Sequence, residues 1–323
     1  MKMTDKGHDK IIKERFGNPS GAADLLLNIL PESLYQRLQL DQLQLVNRSF
    51  IDEHLREYFS DLLFEVPLDD SSIHIYCLIE HKSFPDSWVL LQLLGYMVQI
   101  WDTERKDQKP SLTPIVPILF YHGKTPWTKP DSLGDYFTNV ATDHDLASFL
   151  PQFKFLLFDL NVVSDESFKG SVYTRVLLRV LKHIHHDLEQ YLVVILEMLN
   201  DAQSETELRN FLRVFFQYLF QTMTTKEKTI METIEQRVSH PVVQEEYRSW
   251  ADELEQRGMD KGMEKGMEKG MEKGMEKGHS EEKRNIASKM IKEGIPIEHI
   301  QKFTALPIDE IRNLEKNLKS DTD

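Results

Sequence analysis

Tyr76-Cys77-Leu78-Ile79-Glu80-His81-Lys82-Ser83 is an apolar run that ends abruptly in three ionisable side chains. Read as a strand leaving the core, it places Glu80 and Lys82 on one face, because side chains alternate along a strand. Just before it, "DLLFEVPLDDSSIHIYCLIEH" holds two apolar-rich runs around Asp69-Asp70-Ser71-Ser72, which signals a hairpin. If that loop is Asp69 to Ser72, Leu68 faces Ile73 and the numbers of antiparallel partners sum to 141. Asp61 then lies across from Glu80, with β-carbons about 4.5 to 5.5 Å apart. Leu62, Phe64, Val66 and Leu68 join Ile73, Ile75, Cys77 and Ile79 in an unbroken apolar face, and a one-residue slip would destroy that match. Facing carboxylates destabilise a bare sheet, so removing either is expected to leave the metal-free fold at least as stable. The same pair invites a divalent cation. A lysine beside it can orient or deprotonate an attacking water and stabilise charge on a phosphate.

Working outward, Pro85-Asp86-Ser87 introduce "WVLLQLLGYMVQIWDTERK", whose length and capping residues predict a mostly buried helix. On it Gln92, Tyr96 and Gln99 fall at i, i+4 and i+7, a polar stripe on an apolar surface, read either as part of a site or as a solvent face. Ile115 to Tyr121 and Phe153 to Asp159 are strand-like, and Asp159 ends the second of them without a spacing that ties it to the site. "SGAADLLLNIL" before Pro31 predicts a short helix, and from about residue 168 to 256 the apolar spacing is helical. His183, His186 and Asp187 have helical spacing, which a metal could use but which a polar helix face explains as well. Strands early and helices late describe an α/β core with a helical extension.

The formal net charge of −14 argues against a protein that coats nucleic acid through bulk charge, though not against a site where bound metal supplies the positive charge. The single cysteine, Cys77, excludes an intrachain disulfide and reads as a small buried hydrophobe in a reducing, cytoplasmic setting. No apolar stretch reaches the ~20 residues of a membrane span, and the N-terminal residues hold no apolar signal region. From Gly258 to Gly278 the unit Gly-Met-Glu-Lys recurs with a period of four. Each glycine costs a helix roughly 0.8 to 1 kcal/mol against alanine, so a linker or a marginal helix is expected. A methionine stripe that pairs two chains into a homo-oligomer is the sharper reading. Beyond it, breaks at Gly294-Ile-Pro296 and Leu306-Pro307 mark a small helix-turn-helix-like module of mixed charge.

Asp61, a hairpin, and Glu80-x-Lys82 ahead of a helix resemble the PD-(D/E)xK nuclease pattern. More specifically, "FSDLLFEVPL", "YCLIEHKSFPDSWVLLQLLGYMVQIW" and "PIVPILFYHGKTPW" resemble the Rpn recombination-promoting nucleases, also described as YhgA-like transposases, over roughly residues 5 to 200. Ser60 stands where that pattern usually has proline, and Lys82 where members of the family often carry glutamine. The resemblance implies a mixed-sheet, restriction-endonuclease-like core and a metal-dependent DNA endonuclease that promotes recombination. Asp61 and Glu80 would be the metal ligands, Lys82 the water-activating residue, and Gln92 and Tyr96 candidates for DNA contact. The implied metal is Mg2+, with Ca2+ or Mn2+ as substitutes, and the implied partner is DNA, not a membrane. The expected layout is a nuclease core over 1–165, a helical extension over 166–256, a repeat linker over 257–279 and a helical module over 280–323. The competing reading is an inactive DNA-binding or regulatory protein that acts by pairing its C-terminal part with related nucleases.

Overall fold

A computed structural model describes residues 3–46, 62–69, 74–128, 131–137, 144–222 and 227–320. They fall into two compact units, residues 1–249 and 250–323. In chain order the described elements are α1 (Met3–Phe16), α2 (Pro19–Ile29), α3 (Glu32–Tyr35), β1 (Gln44–Leu45), β2 (Leu62–Pro67) and β3 (His74–Lys82). Then come α4 (Val89–Lys106), β4 (Ile115–Tyr121), α5 (His144–Ala147), β5 (Leu156–Asp159), α6 (Val172–His183) and α7 (Leu188–Glu197). The chain continues through α8 (Glu205–Thr222), α9 (Glu227–Arg237), α10 (Pro241–Lys292), α11 (Ile297–Thr304) and α12 (Ile308–Ser320).

The strands form one mixed sheet in the order β1-β2-β3-β4-β5. β2 and β3 are antiparallel, with Leu62 opposite Ile79 and Pro67 opposite His74, so every described pair sums to 141 as the sequence requires. Asp61 lies outside the described residues. β4 returns parallel to β3 after the α4 crossover, and β5 lies parallel to β4. β5 starts at Leu156 rather than Phe153, because Phe153 and Phe155 turn their rings into the core beneath α4 instead of extending the ladder.

Both faces of the sheet are covered, as parallel strands demand. Leu63, Tyr76 and Leu119 pack under Val89, Leu90, Leu93, Tyr96 and Met97 of α4. On the other face Phe120 meets Phe16 of α1 edge to face at 6.2 Å and lies 5.7 Å from Phe158. Buried Arg15 ties the helices of that layer together: its Nη2 donates to Asp24 on α2 (2.8 Å), to Ser171 (2.7 Å) and to Thr174 on α6 (2.9 Å). Asn18 caps α2 by accepting from the Gly21 amide at 2.9 Å, with Pro19 in the first helical turn. Gly170 has φ of +94°, and a β-carbon there would come within 2.7 Å of Asp24, so no larger residue fits beside the Arg15 cluster.

In the second unit, Ala287, Ile300, Leu306 and Ile311 form a small core. α10 closes on Gly294, at φ +76°, with the Ile295 amide bonded to the Met290 carbonyl and the Gly294 amide to that of Ile291, a Schellman stop. The Gly-Met-Glu-Lys repeat is helical throughout. β-Carbons added at Gly262, Gly266, Gly270 and Gly274 would meet nothing within 4 Å. Replacing these four by alanine should therefore stabilise the helix by roughly 3 to 4 kcal/mol, about 0.8 to 1 kcal/mol each. Thermal melts of the full chain followed at the helical circular-dichroism band should show a higher midpoint for the helix. An unchanged melt would mean that the glycines meet a constraint absent from this helix.

Candidate active site

β3 enters the site because its C-terminal half is pinned between β2 and β4, leaving Glu80 and Lys82 aimed at the first turns of α4. Glu80 is 1% exposed, an expensive place for a carboxylate without partners. Its Oε1 meets Lys82 Nζ at 2.9 Å and accepts from Gln92 Nε2 at 3.0 Å. The Gln92 Oε1 in turn accepts from Lys82 at 2.9 Å, and its Nε2 also reaches the Tyr96 hydroxyl. One amide thus bridges acid, lysine and phenol. Glu80 Oε2 is buried with no hydrogen-bond partner among the described residues.

The stripe at i and i+4 is therefore no solvent face. Tyr96 is buried, and Gln92 is partly buried against Glu80 and Lys82. Gln99, at i+7, has a buried Oε1 without a partner among the described residues. Asp86 completes the cluster, which sequence reading missed because it treated this residue only as a cap: it pairs with Lys82 at 3.0 Å. Burial works against the charge on Lys82, yet Glu80 and Asp86 outweigh it and hold its pKa above the ordinary lysine value. The lysine is an ammonium at neutral pH.

Asp159, two strands away, stays apart. Its Oδ2 accepts from the Trp127 amide at 2.7 Å and its Oδ1 from the Asn161 amide at 2.9 Å, which fixes the loop after β4. His183 is likewise committed, Nδ1 to Asp187 at 2.9 Å and Nε2 to Asp165 at 3.0 Å, with its ring stacked on Tyr191. Among the described residues no group of three or more metal-type ligands is assembled.

Between the two site residues His81 points the other way, into a buried cluster the sequence did not announce. His81 and His122 meet Nε2 to Nε2, their rings within 7° of coplanar and centred 4.7 Å apart, so they touch edge to edge. His8 of α1 lies 4.9 Å from His122, and His185, just beyond α6, lies 6.1 Å from it. Tyr218 of α8 shares a 2.7 Å hydrogen bond with His8. Of two facing Nε2 atoms, one must carry the hydrogen and the other must not. Burial, then the neighbouring imidazoles, push His122 well below the usual histidine range. Burial, then His8, Lys82 and Lys13, push His81 down to about 3. Burial also lowers His185, with His186 and Lys124 adding to it. His81, His122 and His185 are neutral packing behind the strand, and the His122 amide donates to the Lys82 carbonyl at 3.1 Å, which steadies the strand end.

Fold and site together define a mixed α/β protein with a buried acid, lysine and amide at the end of a central strand. The chain belongs to the family described as "Putative transposase, YhgA-like", which matches residues 6–210. It is 34% identical over 182 residues to the inactive recombination-promoting nuclease-like protein RpnE of Escherichia coli K12, a match covering 56% of this chain and 60% of that protein. It is 31% identical over 208 residues to the recombination-promoting nuclease RpnD of E. coli O157:H7, covering 62% of this chain and 78% of the relative. Recombination-promoting nuclease RpnA of E. coli K12 aligns along 96% of this chain and 97% of its own length at 26% identity. No solved structure matches the chain.

Proposed function

We propose that the chain is a metal-dependent DNA endonuclease of the PD-(D/E)xK kind, hydrolysing phosphodiester bonds in a recombination role. The observation that carries this is the buried Glu80 with one oxygen bound to Lys82 and Gln92 and the other without a partner among the described residues. A buried carboxylate oxygen left open costs on the order of 1 to 3 kcal/mol unless something binds it. A hard cation such as Mg2+ suits an oxygen donor, so the residue fits the implied metal, with Asp61 as the proposed second ligand. When bound, such a cation would supply positive charge against the phosphate and acidify a water. Lys82, an ammonium beside Glu80 and Asp86, donates hydrogen bonds to the attacking water or to a phosphate oxygen and adds positive charge. Gln92 and Tyr96 hold Glu80 and Lys82 in register, and Gln92, less buried than Tyr96, is the better placed to meet DNA.

Nicking of supercoiled plasmid by the full chain with Mg2+, Mn2+ or Ca2+ tests the reading; no cleavage with any of them would overturn it. Lys82→Gln should slow cleavage about 100-fold or more while calorimetric titration still shows metal binding. Lost metal affinity would make Lys82 structural instead.

A second reading is favoured by one observation: Met259, Met263, Met267, Met271 and Met275 are 54 to 69% exposed along α10. Contiguous exposed methionines suit chain pairing, and light scattering on chains ending near residue 256 would detect it as a fall in mass. Among the described residues no helix is long and apolar enough to cross a membrane.

A further inference from the structure

The mouth of the site is aromatic. Trp88 caps α4 one turn before Gln92, its carbonyl accepting the Gln92 amide at 3.0 Å, so Trp88, Gln92 and Tyr96 follow one another at i, i+4 and i+8. Trp88 is nonetheless 62% exposed. Its backbone amide donates to Asp86, the residue paired with Lys82, so the backbone that carries the indole is tied to the cluster. On one side it stacks on Tyr136, with centroids 5.2 Å apart and planes 18° apart. Phe84, in the loop between Lys82 and α4, is 55% exposed, and Phe137 is exposed beside Tyr136. An exposed tryptophan with a ring stacked on one face leaves its other face open to solvent.

We infer that Trp88, backed by Tyr136, stacks on an unpaired nucleobase of a DNA strand whose phosphate lies at Glu80 and Lys82. This rests on the nuclease reading above and narrows it: the substrate carries unstacked bases, as single strands or opened duplex do. Charge bears on how such a strand is held. With a formal net charge of −14 the chain gains little from bulk attraction to phosphates, so the affinity must come from contacts that charge does not supply. Stacking on aromatic rings is one, and every base has a face to offer.

The test uses the full chain in metal-free buffer, titrated with a short oligodeoxythymidylate and with a blunt duplex of equal length, while tryptophan fluorescence is followed. The single strand should bind more tightly than the duplex, quench the emission, and lose affinity only weakly with added salt. Trp88→Ala should weaken single-strand binding roughly 5- to 150-fold, the range of one base stack. Its duplex binding and melting temperature should not move. Trp88→Phe should restore most of the affinity. Single-strand binding by Trp88→Ala equal to wild type overturns the platform, as does quenching by protein concentration alone with a doubled mass, which would assign the rings to a second copy of the chain. The two readings fail separately. Plasmid cleavage with unaltered binding by Trp88→Ala sinks the platform and leaves the nuclease; Trp88-dependent binding without cleavage under any metal sinks the nuclease and leaves the platform.

Discussion

Glu80→Gln should abolish plasmid cleavage, with an expected loss on the order of 1,000-fold or more, because it removes the charge that would hold a cation and one partner of Lys82 together. Glutamine keeps the shape and can still bond Gln92, so the variant should melt within a few degrees of wild type. Glu80→Ala is different. The facing-carboxylate argument from sequence expected no loss of stability, but Glu80 is buried against Lys82, which is itself only 13% exposed along its side chain. Among the described residues, removing the acid leaves the ammonium with Asp86 as its carboxylate partner and with the Gln92 oxygen. Breaking a buried pair costs about 3 to 5 kcal/mol, and the surviving Asp86 contact should hold the cost to the lower end. Asp61→Asn should show the same loss of cleavage if the proposed second ligand is right. Wild-type cleavage by Glu80→Gln, in samples matched for melting, would place the chemistry elsewhere.

Acid should unfold the protein early. In the unfolded chain a histidine takes up a proton near pH 6.5. In the folded chain burial and neighbouring imidazoles hold His122 neutral to a far lower pH, and His81 down to about 3. Above pH 6.5 neither state is protonated at these rings, and the cluster leaves stability independent of pH. Below it the unfolded state binds protons that the folded state refuses, so stability falls as pH falls, by roughly 1.4 kcal/mol per pH unit for each ring. Two such rings amount to about 4 kcal/mol at pH 5, a large share of the 5 to 15 kcal/mol that a typical domain has. Urea midpoints between pH 7.5 and 5 should drop steeply for wild type and less steeply for His122→Gln. Parallel curves would mean that the rings accept protons in the folded state. His186, Lys13, Lys82 and Lys124 also bear on the cluster and raise the cost of charging it.

What could be read in advance follows from how local each signal is. The β2 to β3 register was legible because a short loop and alternating apolar residues fix it within about twenty positions, and Leu62 does face Ile79. The approach of Gln92 and Tyr96 to Glu80 was half legible: helical spacing showed the stripe, but only the α4 crossover decides that it faces the sheet and not water. Asp86 was read only as a cap, since nothing in sequence shows that Lys82 bends back to it. The histidine cluster was illegible. His8, His81, His122 and His185 come from four separate stretches, and no periodicity links them before α1, the sheet and α6 have packed. Phe153 and Phe155 misled for a related reason, as alternating aromatics describe a strand and a core-filling loop alike.

The alternation of Glu80, His81 and Lys82 also says how this gene can change. One codon inserted into β3 would turn His81 toward α4 and drive a carboxylate or an ammonium into the imidazole cluster, exchanging the two sides of the sheet in a single step. The strand can therefore drift in spelling but not in length. The Gly-Met-Glu-Lys tract obeys the opposite rule: a slipped copy adds or removes four codons in frame, its methionines are exposed, β-carbons added at its glycines from Gly262 on would meet nothing, and each added unit turns the helix on by about 40°. Strains descending from one ancestor should differ in the number of these units while the spacing from Leu62 to Lys82 stays fixed.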